Sequence, residues 1–415
     1  MSILLRGGRD AGGTRRDVAV DPATGTITAT GEDLAAAGDV VDCTGMVILA
    51  APVEPHAHLD KALSGLAAPN PAGDLEGAIA AWHAHWPDLR HDDLVARATT
   101  AVETMVLRGT TTIRSHVDVG EALGLRAVRA LIEVRDEMRR RGVADIQLVA
   151  LVASPLSGSG GAEHRRLLDE ALDLGVEVVG GVPYRDPDPE ACTRLAVDVA
   201  GRYGAAVDLH CDETLDPQVA DVRRLARMSV ERGLGGTVTA SHCVSLGVQT
   251  EDEQAATAAV LADAGVAVVV LPQTNLYLQG RQHRVAPPRG LTAVRALLDA
   301  GVTVAAGADN VRDPFCSMGR MDALETAALL VMTAHLSPAE AWAACTSGAR
   351  AALGLPPVTV AAGSPAELLA VEGASLADAM AGAGERRIVV HAGRVVARTT
   401  VERCLLPDPQ SSGRK

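Results

Sequence analysis

Eight apolar runs of four to eight residues, each followed by a helix-like stretch, occupy the middle of this chain and leave few folds open to it. The runs lie at 47–53, 110–115, 146–153, 176–182, 206–209, 236–240, 266–271 and 302–306. Alanine- and leucine-rich segments separate them at 93–107, 122–141, 163–174, 189–203, 218–232, 251–264 and 291–300, and glycine closes many of these. Strands this short and this uniformly apolar are buried on both faces, as in a parallel sheet. Strand–helix alternation repeated eight times predicts an α/β protein with a (β/α)8 TIM-like barrel over residues 51–354. A doubly wound open sheet is the rival, and it wants a glycine-rich phosphate loop after its first strand. Here the first run leads instead into Pro52-Val53-Glu54-Pro55-His56-Ala57-His58-Leu59-Asp60-Lys61. The glycine-rich stretch Ser157-Gly158-Ser159-Gly160-Gly161 lacks the dinucleotide-binding spacing and reads as a loop over the barrel mouth.

Both ends of the chain have a different texture. Short β-like pieces at 2–5, 17–20, 25–29 and 40–43, with one brief helical run at 33–37, are matched by pieces at 366–371, 387–390 and 394–397. They predict one small β-domain built from residues 1–50 and 355–410, with 411–415 as a polar tail. With 47% hydrophobic residues and 41 glycines, a large core of closely packed helices on strands is within reach.

Composition excludes several functions. Aromatic residues make up 2%, with Phe315 the single phenylalanine, which is too few for a surface that stacks nucleic-acid bases. A net charge of −14 argues against nucleic acid or an anionic membrane as a partner. The apolar run at the N-terminus is too short for a signal peptide and no stretch is long enough to span a membrane, so a cytoplasmic protein is expected. The seven cysteines are odd in number and scattered, which fits reduced thiols rather than a disulfide framework or a zinc knuckle.

Barrel enzymes carry their chemistry on the C-terminal ends of the strands. Those ends offer His56 and His58, then His116 and Asp118, His210 with Asp212 and Glu213, His242, Asn275 and Gln279, and finally Asp309 with Asn310. Side chains two apart on a strand leave the same face, so His56 and His58 can hold one ion between them. The same tripeptide recurs as His83-Ala84-His85 in an alanine-rich, helix-like segment, where i and i+2 diverge and ordinary helix residues are expected. His56, His58, His210 and Asp309 make a plausible ligand set for one divalent metal ion, zinc or iron, with a position left for water. Such a water ionises near neutral pH and serves as nucleophile. Glu213, three residues past His210, is placed to shuttle its proton to a substrate nitrogen. His242 is either a further ligand or, as we prefer, a neutral donor that orients the attacking group. Cys211 and Cys243 read as small buried fillers.

Taken together, the ordered His-x-His, His, His and Asp resemble the amidohydrolase superfamily. Val53-Glu54-Pro55-His56-Ala57-His58-Leu59-Asp60, Arg114-Ser115-His116-Val117-Asp118-Val119, His210-Cys211-Asp212-Glu213, Thr239-Ala240-Ser241-His242, the string from Asn275 to Arg281 and Asp309-Asn310-Val311-Arg312-Asp313-Pro314 are similar to its cytosine deaminase branch. The resemblance implies that the terminal pieces form a small β-sandwich domain and that the barrel holds one metal ion, with Asp309 both ligating it and accepting the water's proton. It further implies that Glu213 protonates a ring nitrogen and His242 assists at the tetrahedral carbon. Two-metal relatives carry a carbamylated lysine on strand four, and nothing near Gly180-Gly181-Val182 corresponds to it. Three departures bear on the substrate. The branch's glutamine after strand three is missing, since Val152-Ala153-Ser154-Pro155-Leu156-Ser157 stands there and Gln147 lies too early. Asn310 follows Asp309, and Lys61 follows Leu59-Asp60, both similar to hydrolases that strip substituted amines from hydroxylated triazines. Lys61, Leu156, Gln279 and Asn310 are therefore the expected substrate contacts. The expected function is metal-dependent removal of ammonia or an amine from a small-molecule nitrogen heterocycle. Ring opening of a cyclic amide or lactam at the same site is the alternative, and a catalytically silent binding barrel a distant third. Whether the chain forms a homo-oligomer is open.

Overall fold

In the computed structural model, which describes residues 2–405, the strands form two separate eight-stranded sheets. The chain opens with β1 (Ile3–Arg9), β2 (Arg15–Asp21), β3 (Thr26–Gly31), β4 (Asp39–Asp42) and β5 (Met46–Ala50). Eight parallel strands follow: β6 (Val53–Ala57), β7 (Thr112–Val119), β8 (Asp145–Val152), β9 (Val178–Gly181), β10 (Ala206–Cys211), β11 (Val238–His242), β12 (Ala267–Val270) and β13 (Val304–Ala306). β14 (Leu368–Glu372), β15 (Arg387–His391) and β16 (Arg394–Thr399) then return to the first sheet.

The parallel strands are hydrogen-bonded in chain order from β6 to β13. Just beyond β13, Asp309 N–H bonds to His56 O at 3.1 Å, and the Ala57–Asp309 bridge brings the two edges together. This is the (β/α)8 barrel that the alternation predicts. Its helices are delimited by local chemistry. Thr250 and Glu253 form a reciprocal cap at the start of the helix Glu251–Ala264. Gly142, Gly204, Gly233 and Gly265 end four helices in the left-handed backbone that glycine adopts without steric cost.

The terminal sheet runs β16-β15-β14-β5-β1-β2-β3, with β4 alongside β1. Its far edge curls back, because Ile27 N–H donates to Ser364 O and Gly363 N–H donates to Ile27 O. One face thereby encloses a core of its own, including Leu5, Val18, Val20, Ile48, Leu368 and Ile388. The other face sends Val47, Leu49, Leu369 and Val389 into the main core shared with the barrel's helices.

Two local expectations change. The run 47–53 is not one strand: Met46–Ala50 pairs with β14 in the terminal sheet, and the barrel begins at Val53. Pro52, which has no N–H to give a ladder, stands at the break. The 33–37 stretch is not helical, and Asp33 there has left-handed backbone (φ 52°). Residues 406–410 and the 411–415 tail lie outside the described residues. No helix among the described residues is long and apolar enough to cross a membrane.

Candidate active site

Strand alternation explains most of the site. On β10, Asp208 and His210 point into the barrel while Val207, Leu209 and Cys211 face the helices and join the core. On β6, Glu54 and His56 share the inner face, and His58 continues it. On β7 the inner set is Arg114, His116 and Asp118, so the last two lie within the strand rather than after it.

Two residues break this alternation. On β11, Thr239 and Ser241 face inward, so His242 would turn toward the helices; instead it adopts left-handed backbone (φ 72°) and its ring lines the barrel mouth. Asp309 is likewise left-handed (φ 64°), as is Asp212 (φ 53°). Such backbone in residues with a Cβ costs on the order of 1–3 kcal/mol each and concentrates at functional sites. Asp212 is held by the amides of Asp221 and Val222, which donate to its carboxylate.

Three imidazole nitrogens and one carboxylate oxygen converge at the mouth. His58 Nε2 lies 3.3 Å from His56 Nε2, 3.3 Å from His210 Nε2 and 3.3 Å from Asp309 Oδ1. His56 Nε2 lies 3.7 Å from the same carboxylate oxygen. Ligands about 2.0–2.1 Å from a tetrahedral ion stand roughly 3.3–3.4 Å apart, and the three distances from His58 match that spacing. Among the described residues neither Asp309 oxygen has a hydrogen-bond partner, although both are buried. A buried carboxylate left without donors is costly unless a cation faces it. Burial and the neighbouring Glu213 and Asp313 push the Asp309 carboxyl well above its usual range, and burial holds all three imidazoles well below theirs. The donor set suits a divalent metal.

Two more imidazoles crowd the centre. Nitrogens of His56, His116 and His210 lie within 4.8 Å of one another, as do donor atoms of His56, His242 and Asp309. The His116 ring lies tilted by 32° against His56 with centroids 3.9 Å apart, and its Nε2 faces Asp208 Oδ2 at 3.6 Å. Asn275 Nδ2 lies 3.1 Å from His242 Nδ1, leaving His242 Nε2 buried without a partner. Burial, reinforced by His116, lowers His242 to about 3, so the ring is neutral.

Glu213 is buried beside this centre. Tyr184 Oη donates to its Oε2 at 3.2 Å, and burial lifts its carboxyl to about 8. The mouth opens into a cavity of about 320 Å³ that His58, His210, Glu213, His242 and Asp309 all line.

The expected substrate contacts fare differently. Lys61 and Asn310 line the cavity. The Lys61 ammonium is already engaged, 2.7 Å from Asp118 Oδ1 and 3.5 Å from Asp60 Oδ2, and it lies 3.2 Å from His58 Nδ1. Asn310 donates to Asp313. Leu156 is buried away from the cavity, its amide bonded to Asp186. Gln279 lines a neighbouring hollow and reaches Glu213 through the backbone oxygen, at 3.4 Å. Gln147 is spent on Arg114 Nε, 2.8 Å away.

The sequence reading missed the wall. Leu75, Ile79, Trp82, His83 and Trp86 are one stripe of the helix Leu75–His85 and its end, and they line the cavity with Tyr184 and Phe315. The signal was present: the chain has three Trp, three Tyr and one Phe, and four of those seven lie here.

A barrel with such a centre defines a divalent-metal hydrolase. The chain belongs to the amidohydrolase family, whose model matches residues 87–397, and it is a hydrolase of C–N bonds. It is 32% identical over 352 residues to a pterin deaminase of Rhizobium rhizogenes, covering 83% of this chain and 79% of that one. The structure of 5-methylcytosine deaminase from Klebsiella pneumoniae liganded with 5-fluorocytosine superposes with a TM-score of 0.88 at 28% identity, over 98% of this chain and 100% of that chain. N-isopropylammelide isopropylaminohydrolase from Burkholderia multivorans gives 0.82 at 28% identity, over 96% and 98%.

Proposed function

We propose that this protein uses one divalent ion, zinc or iron, to remove ammonia or an amine hydrolytically from a flat nitrogen heterocycle. The observation that carries the reading is the convergence of His56, His58, His210 and Asp309, with His58 Nε2 3.3 Å from each of the other three, beside a buried Glu213 whose carboxyl burial lifts to about 8. The cation would supply Lewis acidity and a water acidified to near neutral pH. Asp309 is the base that takes the proton released at the start of the reaction. Glu213, protonated at pH 7, donates to the ring nitrogen next to the reacting carbon, and Tyr184 keeps its carboxyl in place. His242 stays neutral and presents Nε2 toward the reacting carbon, with Asn275 fixing its other nitrogen.

The substrate we infer is uncharged and larger than a single pyrimidine ring. Both cations that line the cavity, Lys61 and Arg185, are paired with carboxylates, Asp118 and Glu76, so no free charge awaits a phosphate. The end of β8 contributes Leu151, Val152, Ala153 and Ser154 to the wall, with no amide to pair a pyrimidine edge. Trp82, Trp86, Tyr184 and Phe315 favour a broad aromatic face, which a fused bicycle of the pterin kind supplies.

An ammonia assay coupled with amine detection, run over pterins, pyrimidines, triazines and imidazoles, tests this. Release from a pterin is the expected result; release of neither product from any of them sinks the reading. Proton release without ammonia would favour ring opening instead. Dialysis against a chelator should abolish turnover, and zinc or ferrous ion should restore it.

A further inference from the structure

The three imidazoles of the candidate metal centre are backed unequally. His210 Nδ1 is buried and has no hydrogen-bond partner among the described residues. His58 Nδ1 faces the Lys61 ammonium, a group with hydrogens to give and no lone pair to offer. His56 Nδ1 lies 2.9 Å from Ser241 Oγ, and the Ser241 hydroxyl donates its one hydrogen to Asp208 Oδ1 at 2.8 Å. With that hydrogen committed, the ring must be the donor in the His56–Ser241 contact. His56 therefore carries its proton on Nδ1 and its lone pair on Nε2, the atom that faces His58 and Asp309.

The chain of contacts continues. Arg114 Nη1 donates to Asp208 Oδ2 at 2.9 Å and to Thr239 Oγ1 at 3.2 Å, while Gln147 Oε1 accepts from Arg114 Nε. Ser241 and Asp208 have no exposed surface and Arg114 almost none. They come from β11, β10 and β7 and meet on the barrel axis beneath the centre. Nothing in the proposed chemistry uses them.

We propose that Ser241 and Asp208, braced by Arg114, are positioning residues that fix the tautomer and aim of His56 and so set the protein's affinity for its metal ion. The inference rests on the metal reading above. Histidine ligands generally donate their other N–H to a carboxylate, carbonyl or water, and losing that partner costs about 10–100-fold in metal affinity. His56 is the ligand that has such a partner, which makes it the anchor of the three.

The test is competition with a chromophoric chelator, using zinc as the probe and full-length protein. Ser241→Ala should lower zinc affinity about 10–100-fold and regain most of kcat at saturating zinc. Ser241→Thr, which keeps a hydroxyl, should restore affinity. Ser229→Ala, which removes an equally buried hydroxyl bonded to Leu225 O, is the control and should have no effect on zinc. Asp208→Asn gives a second reading and should weaken zinc through the same path. Unchanged zinc affinity in Ser241→Ala overturns the proposal, as does a loss shared equally by Ser229→Ala. If wild-type protein binds no zinc or iron at all, it is the metal reading that fails, so the two failures are distinguishable.

Discussion

His-Ala-His occurs twice in this chain, and the two copies show how backbone, rather than composition, makes a metal clip. At His56-Ala57-His58 the tripeptide closes a strand, and the two Nε2 atoms lie 3.3 Å apart. At His83-Ala84-His85 it lies on a helix, where two residues turn through about 200° and the rings separate. His83 packs on Trp86 with centroids 4.3 Å apart and joins the cavity wall, whereas His85 does not line it. The second copy is thus a helix pair, as its alanine-rich setting indicates, yet half of it serves the site. Identical residues at identical spacing do different work because one backbone repeats every two residues and the other every 3.6.

The comparison can be broken at several points, beginning with the largest effect. Replacing His56 and His58 together by alanine should remove bound metal and reduce kcat more than about 10³-fold. The His83→Ala/His85→Ala pair should keep full metal content by elemental analysis. Metal loss in both would mean that the second copy is no mere helix pair. Glu213→Gln and Asp309→Ala should each abolish turnover with circular dichroism unchanged, and retained activity in either would sink the assigned roles.

Lys61→Met tests what stands behind His58. It leaves Asp118 buried without its cation and should cost about 3–5 kcal/mol in denaturant unfolding. Burial, only partly offset by Lys61, already lifts Asp60 to about 6, and losing Lys61 raises it further. The part of that cost carried by Asp60 should therefore shrink as pH falls toward 6 and be gone below it, where this carboxyl is protonated with or without Lys61.

The smallest effects belong to His83 alone. His83→Ala should raise KM severalfold with kcat nearly unchanged, and His85→Ala should change neither. In an NMR titration His83 should protonate below the ordinary range, because burial disfavours its imidazolium. Titration above about 6.5 would place it outside the wall.

Much of the barrel was legible because its strands are short apolar runs and glycines mark helix ends; Gly142, Gly204, Gly233 and Gly265 follow the segments they terminate. The two-residue period made His56 and His58 visible for the same reason. His242 and Asp309 were named from their place at strand ends, but their aim depends on left-handed backbone that neither residue type announces. The wall was hidden because Trp82 and Trp86 sit in a segment that reads as a helix, and a helix alone does not say what it covers. Lys61 was expected at the substrate; its partner Asp118 lies 57 residues away, on β7. The first barrel strand was blurred by an apolar run that serves two sheets in succession.

The closure of the barrel carries one more consequence. His56 and His58 lie on one side of the junction and Asp309 on the other, and the Glu54 carboxylate accepts from the amides of both His56 and Ala308. A Cβ on Gly307 would overlap that carboxylate. During synthesis β6 emerges first among the barrel strands and must wait some 250 residues for its last neighbour. Closing so long a loop is entropically slow. A cation held by His56, His58 and Asp309 would therefore join the first and last strands of the barrel across its one seam without a full ladder.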